Sequence, residues 1–481
     1  MTRGRSLALG SVFGLSSQAV TFLLQFGYSA VTSRLIDPSG FGAYGVALGA
    51  SALFAMVATA GIGQATMLLQ EDSRRSIRAM SGLALISGAV VSMALLLSAN
   101  LWSDLWGTPE AVNPTRIIAL FVLAAPQSVV MQGVARRRGS YKLLAISTVT
   151  ANVVGMGVGV ACALQFRSAS ALVVSPILSQ VLVPILIQIG LRRFYYPAFD
   201  KEISKTITPF VGKVLVFGLL AYAGRNVPRI AVSRFLGSSV YGNWNRSDVL
   251  TSMPLQTVET AIVQVVYPEF RHDILDRKRA HDNWANMMLL VAWIGVPTSV
   301  GLGVVAPHLI PILFGPGWQI AAIIAPGLAL ASGLQMPGSV LSSGLQATNN
   351  QTQTWISEGL VLVIQVWCVV PLIIYGNIWF AIGGVIAAPV IRHTSDLYYA
   401  NRHGLVNLRL LLPGYANVIV SSTALGAGLY FLLDFAFDGD RPLVPRFALT
   451  LMAALVALTL VFVFRRRLPP VKIAKQYIGR S

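Results

Sequence analysis

The chain has 481 residues, of which 55% are hydrophobic and 11% are charged, and its mean hydropathy is +0.67. A soluble domain carries about 25% charged residues, so this composition excludes a soluble globular protein and indicates helices in a bilayer. The net charge of +18 does not indicate nucleic-acid binding, because the cations form short clusters between apolar segments and lack interleaved aromatic residues. Cys162 and Cys368 both lie inside apolar segments and predict neither a disulfide framework nor a metal site.

Predicted membrane spans follow one another along the whole chain. A helix needs about 20 mostly apolar residues to cross a bilayer, and fourteen segments meet this condition. In chain order they are 8–32, 41–69, 79–101, 115–134, 143–165, 169–191, 209–232, 244–267, 284–306, 320–345, 355–375, 378–400, 410–433 and 445–464. We interpret the first as a retained helix, because it is too long for a signal peptide.

The predicted fold is an all-α polytopic membrane protein with about 14 transmembrane helices. Two parallel six-helix repeats are expected around a central cavity, with two extra C-terminal helices. The predicted domains are an N-lobe at 1–195, a cytoplasmic linker at 196–207, a C-lobe at 208–405, helices 13 and 14 at 406–466, and a basic cytoplasmic tail at 467–481.

Loop charge alternates along the chain and predicts the topology. Every second loop is basic, and by the positive-inside rule these loops are expected in the cytoplasm. The main clusters are Arg74, Arg75 and Arg78, Arg136 to Arg138, Arg192 and Arg193, and Arg277 to Arg279. Both termini are then cytoplasmic, which requires an even number of spans.

A short sequence occurs twice, 200 residues apart. Residues 33–44 read SRLIDPSGFGAY, and residues 233–244 read SRFLGSSVYGNW. Each copy lies on the predicted outer side, between the first and second helix of its half, and a duplicated half is typical of transporters. Asp37 and Pro38 predict a capped helix start, and Ser238 or Ser239 is expected to cap the second copy. The residues considered for an outer gate are Arg34, Gly42, Arg234 and Gly242; a capped helix corner with no other role is the favoured interpretation for the two glycines.

Several predicted spans carry polar or charged side chains, which are unfavourable when they are exposed to lipid. Arg225 and Arg229 are four residues apart and share a helix face; exposed to lipid at mid-depth, they would cost about 5–7 kcal/mol together. We therefore expect both to face the protein interior. Two interpretations stay open: the arginines pair with Glu259 or Asp248 as a structural device, or they bind an anionic, phosphate-bearing substrate.

The cavity of the predicted transporter is expected to be polar and net positive. The first span has a stripe of Ser11, Gln18, Gln25, Ser29 and Thr32, and the eighth has its own polar face. Glu259 and Asp248 are the candidates for ion coupling, although Glu259 could equally be an ion-pair partner. The candidate substrate-binding residues are Arg225, Arg229, Arg246, Glu259, Gln18, Gln25 and Gln256. No motif of a hydrolase, a nucleotide-binding protein or a metalloenzyme is present, so we expect a secondary transporter with no catalytic residue, metal or cofactor.

Across most of its length the chain resembles the polysaccharide transport family of Wzx-type flippases, which handle lipopolysaccharide or colanic acid. That family belongs to the multidrug/oligosaccharidyl-lipid/polysaccharide exporter superfamily. The resemblance rests on the order and spacing of several short motifs, among them Ser33-Arg34-Leu35, Phe41-Gly42-Ala43-Tyr44, Arg225-Asn226, Arg234-Phe235-Leu236-Gly237, Asn245-Arg246 and Leu313-Phe314-Gly315-Pro316-Gly317-Trp318. It implies two six-helix lobes around a cavity and alternating access driven by a proton or sodium gradient.

The function implied is translocation of a polyprenyl-pyrophosphate-linked oligosaccharide across the bacterial plasma membrane for surface polysaccharide biosynthesis. A polysaccharide polymerase or ligase is then a candidate partner. Two alternatives stay open: a cation-coupled exporter of drugs or small molecules, which an arginine-rich seventh span disfavours, and a membrane glycan polymerase or ligase, which the short loops disfavour.

Overall fold

The computed structural model describes residues 3–60, 62, 74–198, 201–273, 277–348 and 350–437. These residues form helices and contain no β-strand. Contacts divide the chain into two compact units, Met1–Asn245 and Arg246–Ser481. The lobe boundaries expected from the sequence stay a prediction.

The first unit contains eight helices and the beginning of a ninth among its described residues. They are α1 (Arg3–Thr32), α2 (Pro38–Thr59), α3 (Arg74–Trp106), α4 (Val112–Arg137), α5 (Tyr141–Phe166), α6 (Ala169–Leu172), α7 (Val174–Gly190), α8 (Lys201–Leu236) and the first residues of α9 (Ser238–Asp273). A 3₁₀ turn at Pro109–Ala111 precedes α4. Helix α4 packs against α2, α3 and α7, α5 packs against α1 and α7, and α8 lies on α2 and α3.

The second unit contains the rest of α9 and five more helices within the described residues. They are α10 (Arg277–Phe314), α11 (Gln319–Ala347), α12 (Gln351–Tyr375), α13 (Ile378–Arg402) and α14 (Leu408–Phe437). Helix α10 packs against α11 and α14, while α13 packs against α11 and α12. The apolar core of the second unit includes Phe270 and Trp284, whose rings pack edge to face with their centroids 4.7 Å apart.

The structure confirms a polytopic membrane protein. In the described residues, ten helical segments are long and apolar enough to cross a bilayer. Helices α1, α8 and α9 coincide with three further predicted spans, 8–32, 209–232 and 244–267. The predicted span 445–464 and the predicted tail 467–481 lie outside the described residues, so the count of fourteen stays a prediction.

Helix ends follow local sequence signals in one case and not in another. Asp37 caps α2 as expected, because its side chain accepts a hydrogen bond from the Gly40 N–H at 3.1 Å and Pro38 occupies the first helical position. The expectation that Ser238 or Ser239 caps the second copy is wrong, because α9 already begins at Ser238. Gly237 occupies the cap position: it has φ +98 and accepts from the Tyr241 N–H at 3.2 Å.

Three basic connections meet at one end of the first unit. The Arg78 Nε, near the start of α3, donates to the Tyr196 carbonyl at 3.1 Å. The Arg138 guanidinium, just after α4, donates to the Tyr195 hydroxyl at 2.6 Å and lies over its ring. Since α3 is about 50 Å long at 1.5 Å per residue, its other end, at Trp106, lies at the opposite end of the unit.

Candidate functional site

The two copies of the repeated sequence contact each other reciprocally within the first unit. A Cβ placed on Gly42 would overlap the Ser238 carbonyl, and a Cβ placed on Gly242 would overlap the Pro38 carbonyl. The two contacts are equivalent in the repeat, because Gly42 corresponds to Gly242 and Pro38 corresponds to Ser238, each 200 positions apart. The first turns of α2 and α9 are therefore related by an approximate twofold axis, as in an isologous interface. We call this contact the glycine crossing and define it as Pro38, Gly42, Ser238 and Gly242.

The glycine crossing lies at the end of the first unit opposite the basic connections, because Arg234 holds the C-terminus of α3. The Arg234 guanidinium donates to the Asp104 carbonyl, and to the Leu105 carbonyl at 3.4 Å. Helix α3 ends in a Schellman turn, in which the N–H groups of Gly107 and Thr108 donate to the carbonyls of Asp104 and Ser103. A cation is favourable at this negative end of a helix, so Arg234 has a structural partner, which the sequence did not reveal.

Aromatic side chains pack beside the glycine crossing. The Trp106 ring is fully buried and lies 5.2 Å from the Tyr241 ring, centroid to centroid. The Trp102 Nε1 donates to the Val46 carbonyl at 3.2 Å. These rings fix α2 and α3 against the start of α9.

One face of α8 carries polar side chains toward α2 and the α3–α4 connection. The Tyr222 hydroxyl donates to the Gly49 carbonyl at 2.8 Å, and the Ser233 and Thr108 hydroxyls are 2.9 Å apart. Asn226 is 8% exposed and donates from Nδ2 to the Tyr222 carbonyl at 2.9 Å. Residues 222, 226, 229 and 233 are spaced four, three and four apart, as required for one helix face.

The two arginines of α8 differ in their surroundings. Arg229 is half-buried and lies within electrostatic range of the Tyr222 hydroxyl. Arg225 is exposed, and its Nε donates to the Ala221 carbonyl at 3.3 Å. Both residues are expected from the sequence to face the protein interior. The half-buried Arg229 agrees with this expectation better than the exposed Arg225, whose side chain lies at the edge of the polar face.

The polar stripe of α1 does not have one environment. Gln18 and Gln25 are exposed, whereas Ser29 and Thr32 are buried. The Thr32 hydroxyl donates to the Tyr28 carbonyl at 2.8 Å, within its own helix. The stripe therefore splits into an exposed part in the middle of α1 and a packed part at its end. Arg34, which follows the helix, is exposed.

In the second unit, α9 and α11 share a row of polar contacts. The Ser252 hydroxyl donates to the Asp248 carboxylate at 3.0 Å, and the Ser332 hydroxyl donates to the Ser252 oxygen at 2.9 Å. Further along, the Gln335 amide donates to the Glu259 carboxylate at 3.3 Å. Both carboxylates proposed for ion coupling are therefore half-buried and bonded to neutral side chains within this unit. Arg246 is 4% exposed, whereas Gln256 is exposed.

A second polar cluster, which the sequence analysis missed, lies between α11, α12 and α13. Asp396 is fully buried and accepts hydrogen bonds from the Ser342 and Ser357 hydroxyls. One turn away, the Arg392 guanidinium pairs with the Glu358 carboxylate at 2.9 Å. A signal was present: Glu358, Arg392 and Asp396 are the three charged residues between Gln319 and Asn401. No group of three or more possible metal ligands from His, Cys, Asp and Glu occurs among the described residues.

Comparisons with known proteins agree with this architecture. In sequence, the chain is 25% identical over 331 residues to the succinoglycan biosynthesis transport protein ExoT of Rhizobium meliloti (strain 1021), which covers 67% of this chain and 65% of ExoT. It is 21% identical over 320 residues to the lipopolysaccharide biosynthesis protein WzxC of Escherichia coli (strain K12), which covers 66% of this chain and 65% of WzxC. The chain thus spans slightly less than two thirds of each relative's length.

In structure, the chain is similar to the lipid II flippase MurJ in an inward closed conformation. The TM-score is 0.71 at 14% identity, and the superposition covers 95% of this chain and 99% of MurJ. This similarity shows a shared transporter fold. The family described as polysaccharide biosynthesis protein matches residues 31–323, a region that contains both copies of the repeat and the polar face of α8. Because this match covers more than half of the chain, the protein belongs to the polysaccharide biosynthesis protein family.

Proposed function

We propose that this chain is a flippase that translocates a polyprenyl-pyrophosphate-linked oligosaccharide repeat unit across the bacterial plasma membrane. The observation that carries the proposal is the family match over residues 31–323. The names of the relatives, a succinoglycan transport protein and a lipopolysaccharide biosynthesis protein, support a polysaccharide precursor as cargo. A lipid II flippase of the same fold supports a lipid-linked cargo.

In this proposal the arginines of α8 bind the pyrophosphate of the cargo. A guanidinium presents several N–H donors in a planar fork that matches phosphate oxygens. Arg229 is half-buried and lies within electrostatic range of Tyr222, and Arg225 extends from the same helix one turn earlier. The pair therefore offers two cations on one helix, one half-buried and one exposed, while Gln18 and Gln25 of α1 are exposed polar groups suited to sugar hydroxyls.

The glycine crossing is proposed as the outer gate. It lies at the end of the first unit opposite the basic connections, which the positive-inside rule assigns to the cytoplasm. Its closest contacts are made by backbone atoms of Gly42 and Gly242, with the Tyr241 and Trp106 rings packed beside it. Such a contact can separate and re-form as a transporter alternates between its two openings.

Topology and energy source follow from the same proposal. Both termini are expected in the cytoplasm, and a proton or sodium gradient is expected to drive the cycle. A polysaccharide polymerase or ligase would use the translocated repeat unit on the outer side.

The test is transport by the full chain in liposomes that contain a labelled polyprenyl-pyrophosphate oligosaccharide. Labelled lipid should become accessible in the opposite leaflet at a rate that depends on the protein. Arg225→Ala and Arg229→Ala should each lower this rate by about 10- to 100-fold, since a hydrogen bond to a charged group contributes about 1.5–3 kcal/mol. The matched control is Arg116→Ala, which removes an exposed arginine of α4 that bonds Asn100 at 3.3 Å.

Two results would contradict the assignment. Loss of both variants from the membrane, with Arg116→Ala recovered normally, would make the arginines structural. Export of cationic drugs by the wild type, without movement of any labelled glycolipid, would favour the small-molecule exporter instead. In cells, deletion of the gene should abolish a surface glycan and cause its lipid-linked repeat unit to accumulate on the cytoplasmic side.

A further inference from the structure

The charged residues of α11, α12 and α13 are few, and they converge. Helix α11 contains no titratable residue, α12 contributes Glu358, and α13 contributes Arg392 and Asp396 before its terminal Arg402. Intramembrane ionisable residues are costly and usually functional. Here two carboxylates and one guanidinium lie close together in the second unit, which makes the cluster net negative by one charge when both carboxylates are ionised.

The single arginine is already committed to one carboxylate. The Arg392 Nη2 lies 2.9 Å from each oxygen of Glu358, and both side chains are mostly buried. This ion pair is neutral as a unit. Asp396 therefore carries the excess charge, since its partners are hydroxyl and amide groups and Arg392 acts on it from one turn away.

The hydrogen bonds around Asp396 allow a proton to be added without moving heavy atoms. Oδ2 accepts from the Ser342 hydroxyl at 2.6 Å, and Oδ1 lies 2.5 Å from the Ser357 oxygen. The Ser357 oxygen lies 3.2 Å from the Ser395 oxygen, to which the Gln353 amide donates at 3.1 Å. When Asp396 is ionised, Ser357 donates to it. When Asp396 is protonated, its Oδ1–H donates to Ser357, and Ser357 donates to Ser395.

We propose that Asp396 is the proton-binding residue of this chain and that its protonation couples ion movement to transport. One proton from the medium binds the carboxylate and gives a neutral carboxylic acid, which leaves the Glu358–Arg392 pair as a balanced buried unit. Release of that proton restores a net negative charge beside Arg392, so that the guanidinium then lies between two carboxylates on different helices. The coupling part rests on the proposed function, but the binding part does not.

The hydrogen bonds to Asp396 favour a proton over an alkali metal ion at this carboxylate. Each Asp396 oxygen already accepts a hydrogen bond from a serine hydroxyl, and oxygen atoms at hydrogen-bond distance leave no space for a metal ion between them. Asp396 lies six residues before the end of α13, about 9 Å along the helix axis, close to the basic end expected in the cytoplasm. The nearby His393 is not part of this group, because its Nε2 bonds the Tyr415 hydroxyl of α14 at 3.0 Å.

The binding test is an infrared pH titration of the full-length chain in lipid nanodiscs. The carbonyl stretch of one protonated carboxyl group should appear on acidification in the wild type and be absent in Asp396→Asn. It should persist in the matched control Asp282→Asn, which removes an exposed carboxylate of the same unit that bonds Asn407. In Glu358→Gln it should appear only at more acidic pH, because Arg392 then has Asp396 as its carboxylate partner. If Asp396→Asn cannot be recovered, Ser357→Ala should retain the band at a shifted frequency, because the carboxyl group loses one hydrogen-bond partner.

Two outcomes would overturn the proton assignment. If the band persists in Asp396→Asn, the proton binds elsewhere. The same conclusion follows if the frequency of the band is unchanged in Ser357→Ala. Suppression of the band by sodium, at constant ionic strength with choline as the replaced cation, would identify an alkali-ion site instead.

The coupling test uses liposomes with an imposed pH gradient. The wild type should translocate labelled glycolipid faster under the gradient, whereas Asp396→Asn should keep only the rate seen without it. An equal response of both proteins would exclude Asp396 from coupling. Absence of any transport by the wild type would refute the proposed function and leave the infrared result standing.

Discussion

The two copies of the repeated sequence begin with the same residues but join their helices differently. Residues 33–37 connect α1 to α2, and Asp37 caps the new helix with its side chain. In the second copy Gly237 alone separates α8 from α9, and its backbone has φ +98. Beyond this difference both copies place a glycine at the same distance from the shared Ser-Arg pair.

The repeat therefore preserves a contact and not a turn. Gly42 and Gly242 meet reciprocal carbonyl groups even though the preceding connections differ by four residues. An approximate twofold contact needs matched positions on the two helices that form it, whereas the chain can enter those helices in more than one way. The glycine crossing and the two connections can therefore be perturbed separately.

The largest effect is expected from a side chain placed in the glycine crossing. Gly42→Ala and Gly242→Ala should each destabilise the protein by about 1–3 kcal/mol, the usual cost of overpacking, because each new Cβ meets a backbone carbonyl that has no flexible end. Thermal unfolding of the purified variants in detergent measures the loss. Because the two contacts belong to one interface, the double variant should lose less than the sum of the two.

The control for this pair is Gly157→Ala in α5. Gly157 is also helical, but a Cβ there meets no atom within 4 Å. Its replacement should leave stability unchanged or raise it slightly, because alanine has the higher helix propensity. Equal losses in all three variants would show that helix glycines in general, and not the crossing, determine stability.

Much of this comparison was accessible from the sequence. Apolar length predicted the helices, and the pair Asp37 and Pro38 predicted the start of α2, because these signals are local. The Gly237 cap was missed because serine is the commoner cap residue, and only the hydrogen bonds show that α9 has already begun at Ser238.

The long-range parts were beyond a single sequence. Arg234 reaches carbonyls about 130 positions earlier, and no pattern in the chain identifies that partner. Asp396 was missed for a related reason: its hydroxyl partners, Ser342 and Ser357, lie on separate helices and are unremarkable residues by themselves. Charge scarcity between Gln319 and Asn401 was the one signal that could have found the cluster.

A smaller effect is expected at the two connections, and for different physical reasons. Gly237→Ala should cost about 1–2 kcal/mol, the penalty of a Cβ in a left-handed conformation, although no atom within 4 Å would be displaced. Asp37→Ala should cost about 1 kcal/mol through the lost cap, and Asp37→Asn should restore most of it. Thermal unfolding measures both losses of stability. Gly237→Asn should recover part of the stability that Gly237→Ala loses. A full loss in Asp37→Asn would mean that the carboxylate charge, and not the cap hydrogen bond, stabilises α2.

The smallest effect is expected at Arg234, which tests whether the second Ser-Arg pair anchors α8 to α3. Its guanidinium donates to the last carbonyls of α3 from an exposed position, and such a charge at a helix C-terminus contributes about 0.3–1 kcal/mol. Arg234→Ala should lower thermal stability by that amount, and Arg234→Lys should retain about half of it, because the charge persists while the fork of donors is lost. High salt should weaken the wild-type advantage by screening. A salt-independent loss larger than that at Gly42 would instead indicate that Arg234 holds the glycine crossing closed, because the Schellman turn it binds leads directly into Thr108 and its partner Ser233.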